Sequence, residues 1–134
     1  MTQVSGERRF AAEPQRVYDL LTNPDLIAGA LPGCRGHRVI DEDHWEAKVK
    51  PPLPLFPAVT VRMEVIDRRP PTHAGLRAHS RGIDITSTFD LSPDGDGTLM
   101  RWQTDVHVAG AGHGLDGVAR HQADKMLDAV ERAL

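Results

Sequence analysis

Period-two alternation runs through the middle of the chain. Val59, Val61, Met63 and Val65 alternate with Thr60, Arg62 and Glu64, so this segment predicts a strand buried on one face and wet on the other. Pro70-Pro71 ends it. Near the end of the alternating region, Met100, Trp102, Thr104, Val106 and Val108 share a face opposite Arg101, Gln103, Asp105 and His107. Ala74 to Arg81 and Ile83 to Leu91 predict two strands between these, the second joined onward by the turn-rich Ser92-Pro93-Asp94-Gly95-Asp96-Gly97. Upstream, Arg35 to Ile40 and His44 to Lys50 flank Asp41-Glu42-Asp43 as a hairpin, and Val4 to Phe10 predicts a first strand. Connections this short favour antiparallel pairing.

The period changes to that of a helix in three places. Glu13-Pro14 opens a segment with Val17, Leu20 and Leu21 on one face and Tyr18 beside it; Pro14 takes the favoured first turn. Asn23-Pro24 breaks it, Asn23 caps a second short helix from Asp25 to Leu31, and Pro32-Gly33 stops that one. The third helix is long, His113 to Leu134, with Leu115, Val118, Ala119, Ala123, Met126, Ala129, Val130 and Ala133 on one arc and Arg120, His121, Asp124, Asp128 and Glu131 opposite. One long helix laid over one curved sheet encloses volume that only bulky side chains fill, and aromatics make up 4% of this chain. An internal, mostly apolar cavity is therefore expected. Gln122 is the polar residue inside the apolar arc. Two roles are open to it: a hydrogen bond into the cavity, or one to sheet backbone or water.

Composition narrows the function. At 134 residues the chain fits one domain, residues 1–134, and a formal net charge of −3 supplies no basic footprint for nucleic acid. The lone Cys34 cannot form an internal disulfide, the first residues lack an apolar signal core, and no stretch reaches the ~20 apolar residues that cross a bilayer, so a cytoplasmic protein is expected. Of the seven histidines, His44, His79 and His107 alternate onto the wet face and His121 lies on the polar arc of the last helix; no metal site is expected. Cys34 has no neighbouring base and reads as a small core residue. Ser80, Ser87, Thr104 and Gln122, with Asp116 at the edge of the arc, are the inward polar groups, poor equipment for a general base. No catalytic residue and no cofactor are assigned. Arg8 shares its strand face with Val4, Gly6 and Phe10, which sets an anion contact against a position at the rim.

Ser5-Gly6-Glu7, the stretch from Pro14 to Asp25, Leu31-Pro32-Gly33-Cys34, Pro93 to Thr98 and Leu115-Asp116-Gly117-Val118-Ala119-Arg120, in this element order, resemble the CoxG family of carbon monoxide dehydrogenase accessory proteins, within the START-like superfamily. The resemblance spans nearly the whole chain. It implies an α+β helix-grip fold: a seven-stranded curved antiparallel sheet wrapped on a long C-terminal helix, with two short helices after the first strand. It also implies an accessory protein without chemistry of its own, assisting a molybdenum hydroxylase. Longer relatives continue into a linker and an apolar tail, whereas this sequence ends at Leu134, and a peripheral membrane contact is left open. Lys50 to Pro57 replaces a short glycine-containing turn with a proline-held loop whose Leu53, Leu55 and Phe56 read as a pocket lid, a docking tip or a plug of the sheet's end.

The expected cavity is bounded by the inward faces of the strands, Val59 and Ile83 among them, and by the last helix. Val61, Met63, Ile85, Ser87, Phe89, Met100, Trp102, Thr104 and Val106 are expected from the sheet, and Leu115, Ala119, Gln122 and Met126 from the helix. The expected occupant is a small hydrophobic, lipid-like or quinone-like molecule. Two alternatives share the same architecture: a polyketide cyclase-like enzyme using the cavity, and an interaction module with a filled core.

Overall fold

Each alternating run forms a strand in the computed structural model, which describes residues 2–31, 33–50, 57–109 and 116–134. The order is β1 (Thr2–Phe10), α1 (Pro14–Leu21), α2 (Pro24–Ala30), β2 (Cys34–Val39), β3 (His44–Val49), β4 (Val59–Arg69), β5 (His73–Ser80), β6 (Ile83–Asp94), β7 (Gly97–Val108) and α3 (Asp116–Arg132). All seven strands join one antiparallel sheet in the order β1-β7-β6-β5-β4-β3-β2. The helix-grip arrangement is thus present. Leu53, Leu55 and Phe56 of the proline loop, and Leu115, lie outside the described residues.

The helix boundaries follow local chemistry. Pro14 and Pro24 sit in the first turns of α1 and α2, where the missing N–H costs nothing. The Asn23 side-chain oxygen accepts from the N–H groups of Asp25 (3.0 Å) and Leu26 (3.4 Å), capping α2. Gly33, with φ +77°, turns the chain into β2, and a Cβ there would collide with the Lys50 carbonyl oxygen.

Pairing registers arrange the inward side chains in rows across the sheet. One row runs Trp45, Met63, Ala78, Ile85, Val106 and Thr2 from β3 to β1. The next runs Val65, Leu76, Ser87, Thr104 and Val4, and the third Ala74, Phe89, Trp102 and Gly6. On β6 and β7 the pairs deeper than Ser87 and Thr104, toward α1, are large: Phe89 with Trp102, then Leu91 with Met100. Phe89, Leu91 and Met100 there are buried against Val17, Tyr18 and Leu21 of α1 and Leu127 and Val130 of α3 in the main core cluster. A second, smaller cluster gathers Ile27 and Ala28 of α2 over Trp45, Ala47 and Met63.

Candidate functional site

The small side chains of the first two rows are not compensated from above. Ala78, Ser87 and Thr104 on the sheet face Ala119 and Ala123 on α3, and a partly open cavity of about 80 Å³ remains between sheet, α2 and α3. It lies along the seam between the two core clusters: Ile27, Leu31, Met63 and Ala78 belong to or pack on the α2 cluster, and Leu76, Val106, Ala119 and Ala123 to the other. Met126 touches both clusters and borders the cavity.

Of the residues expected at the site, Met63, Ile85, Ser87, Thr104, Val106, Ala119, Gln122 and Met126 line this cavity together. Val61, Phe89, Met100 and Trp102 do not. Phe89 and Met100 lie one and two rows deeper and are packed into the main core, so they close the floor of the bowl below the cavity. Trp102 occupies the β1 side: its ring lies against Gly6, where a Cβ would come within 2.9 Å of it, and beneath the Arg120 guanidinium at 6.0 Å. Val61 pairs with Ala47 and packs at the margin of the α2 cluster; Val59 and Ile83 are likewise absent from the lining. Alternation alone gives the face of a strand but not the level along it.

Ile27, Leu31, Leu76, Ala78 and Ala123 also line the cavity and are not among the site residues that the sequence reading singles out. Ile27 of α2 and Leu31 at its C-cap are four apart, about one helical turn, a spacing readable in the sequence. Ala78 carries no pattern signal beyond its strand face; its smallness is what leaves the space.

Among the described residues, three polar side chains line the cavity. The hydroxyls of Ser87 and Thr104, cross-strand partners on β6 and β7, are 2.8 Å apart and share one hydrogen bond. One donates to the other, which leaves one hydroxyl proton and spare lone pairs for a third group. The Gln122 amide forms no hydrogen bond among the described residues, so the expected alternative of a bond to sheet backbone is not realised. Among the described lining residues none is ionisable. The inward Arg8 is spoken for: it pairs with Asp128 at 2.6 Å and Glu131 at 3.1 Å on α3. Burial works against the Arg8 charge, but the bond to Asp128 and the two carboxylate charges outweigh it and raise its pKa, while the same bond lowers that of Asp128.

The histidines and Cys34 are not among the cavity's described lining residues. His44, His107 and His121 are exposed, and no group of three His, Cys, Asp or Glu among the described residues is arranged to hold a metal ion. Cys34 is half-buried beside the α2 cluster, its thiol 3.5 Å from the Gly36 carbonyl. No helix among the described residues is long and apolar enough to cross a membrane.

Comparison with known proteins places this architecture. The family described as polyketide cyclase / dehydrase and lipid transport matches residues 1–134. The chain belongs to that family. Among solved structures, a conserved protein from Geobacillus kaustophilus superposes with a TM-score of 0.84 at 21% identity, covering 98% of this chain and 94% of its own. A START superfamily protein from Mycobacterium smegmatis follows with 0.78 at 15% identity, over 98% and 95%. A norcoclaurine synthase point mutant from Thalictrum flavum, solved with a transition state analogue, gives 0.67 at 15% identity, over 98% and 92%. A search of the curated proteins found no match. At these identities the structures establish the START-like fold that this polyketide cyclase/dehydrase and lipid transport family member shares with them, and nothing of their chemistry.

Proposed function

We propose that the protein is a non-catalytic binding protein that holds a small, mostly apolar molecule between α2, α3 and the sheet. The observation that carries this reading is the apolar hollow at the seam of the two core clusters, furnished with one hydroxyl pair and one amide that is unbonded among the described residues. Ligand sites typically combine an apolar wall with a few placed polar groups. The lipid-transport half of the family's description supports the same reading. Lipid- or quinone-like compounds are the candidate class; at about 80 Å³ the cavity takes the end of such a molecule, since sites enclosing a whole drug-sized ligand run to ~300–1,000 Å³.

A cyclase or dehydrase would need a group that moves protons at the reacting carbon. The described lining offers hydroxyls and an amide, which argues for binding over turnover. The narrower resemblance to the CoxG family supports an accessory role beside a molybdenum hydroxylase in the cytoplasm. Recovery of such an enzyme with the tagged protein from its own cells is the expected result for that role.

Native mass spectrometry of gently purified protein tests the reading directly. A co-purifying apolar compound is expected in the natural protein and not in Ala123→Leu, which places a larger side chain in the hollow while keeping a good helix former. An empty protein that ignores apolar compounds would instead favour an interaction module with a filled core.

A further inference from the structure

The cavity combines a mostly apolar wall with a few polar groups. On the sheet side its polar point is the Ser87–Thr104 hydroxyl pair in the second row; below that row Phe89 and Met100 close the space, and around it Ile85, Val106 and Leu76 are apolar. A hydroxyl pair with one proton already committed offers one donor and several lone pairs, and the Gln122 amide, unbonded among the described residues, adds donors and an acceptor. Such a set satisfies a hydroxyl or a carbonyl oxygen. It does not satisfy a carboxylate or an amine: no described lining residue carries a countercharge, Arg8 is held by Asp128 and Glu131, and a charge moved from water without a partner pays a heavy desolvation cost.

Resting on the binding function proposed above, we infer that the ligand is uncharged and enters with a hydroxyl or carbonyl group first, bonded to Ser87, Thr104 and Gln122, its apolar body lying along Ile85 and Val106. This excludes free fatty acids and favours alcohols, ketones and quinone-type carbonyls.

A matched five-carbon series tests it: 1-pentanol, 2-pentanone, pentane and pentanoate, titrated into methyl-labelled protein and followed by the NMR signals of Ile85 and Met126. Pentanol and pentanone are expected to shift both methyls, with pentanoate at least roughly tenfold weaker, and contacts from the pentanol C1 protons to the Thr104 methyl are expected. In Ser87→Ala/Thr104→Val, the ratio of pentanol to pentane affinity is expected to fall roughly tenfold, the loss of one or two net hydrogen bonds. Retained pentane binding in that variant serves as its folding control. Pentanoate binding as tightly as pentanol, or a ratio unmoved by the double substitution, overturns the inference while leaving apolar binding intact. If none of the four compounds moves Ile85 or Met126, the binding function falls and the inference with it.

Discussion

Tyr18 and Thr98 show how differently two buried hydroxyls are treated in this chain. Both are sealed from solvent, Tyr18 at 1% and Thr98 at 0% exposure. Thr98 donates to the Ala12 carbonyl at 2.7 Å, tying the start of β7 to the segment that leads into α1. The Tyr18 hydroxyl makes no well-formed hydrogen bond among the described residues, although the Arg69 backbone and the Arg68 side chain are its polar neighbours, and burial raises its pKa against the opposing pull of the Arg68 charge. An orphaned buried hydroxyl costs stability, whereas removing one from a satisfied pair strands its acceptor. Tyr18→Phe is therefore expected to leave the unfolding free energy unchanged or raised by up to about 1 kcal/mol, and Thr98→Val to lower it by about 1 kcal/mol. Urea titrations of the two variants decide this, and a marked loss in Tyr18→Phe would mean that the hydroxyl is bonded after all. Helical spacing puts Tyr18 beside the apolar face of its helix. It is in fact one of the largest fully buried side chains, because spacing ranks faces without saying how many sides the neighbours will cover.

Among the elements, β1, β7 and α3 pack tightly along one seam. Gly6 has no side chain because the Trp102 ring occupies the place; Arg120 covers that ring from α3 and reaches the Ser5 carbonyl at 3.4 Å, while Arg8 pins the same helix through Asp128. Gly6→Ala forces the ring aside and is expected to cost about 1–3 kcal/mol, the usual penalty for overpacking a filled site. Thermal unfolding measures the cost, and a shift of tryptophan emission reports the displaced ring; an unchanged melting temperature would show that the ring yields freely. The faces of these strands were legible in the sequence, since Met100, Trp102, Thr104 and Val106 alternate without a break. Which of them border empty space was not. That depends on register, which sets Trp102 opposite Gly6 and Thr104 opposite Ser87, and on α2, whose Ile27 and Leu31 reach over the sheet from a helix only seven residues long. Alternation also misses the bulge of β4, where Asp67 at φ +51° interrupts the pairing and bonds Arg69 and His73 instead.

At the scale of the whole molecule, charge and cavity are kept apart, and this yields a prediction about pH. The carboxylates with lowered pKa values, Asp41, Asp67, Asp84 and Asp128, all lie outside the cavity, and each is lowered first by a hydrogen bond to a basic side chain: His44, Arg69, Arg77 and Arg8 respectively. A folded-state pKa below the unfolded value near ~3.9 means that the group favours the fold fully above that value, and that this contribution is lost as pH falls through the lowered folded value. Stability should thus drop as pH falls below about 4. His44 works in the opposite sense. Its pKa is raised, first by the bond to Asp41, so its contribution is complete below its unfolded value near ~6.5 and is lost as pH rises through the raised one. Binding should follow neither course while the protein stays folded, because no described cavity residue titrates. For 1-pentanol, the affinity read from the Ile85 and Met126 methyls is expected to stay flat from about pH 5 to 9 and to vanish in acid only where circular dichroism shows the fold itself being lost. An affinity that stepped within the folded range would place an ionisable group beside the ligand, and would reopen the case for proton transfer in this cavity.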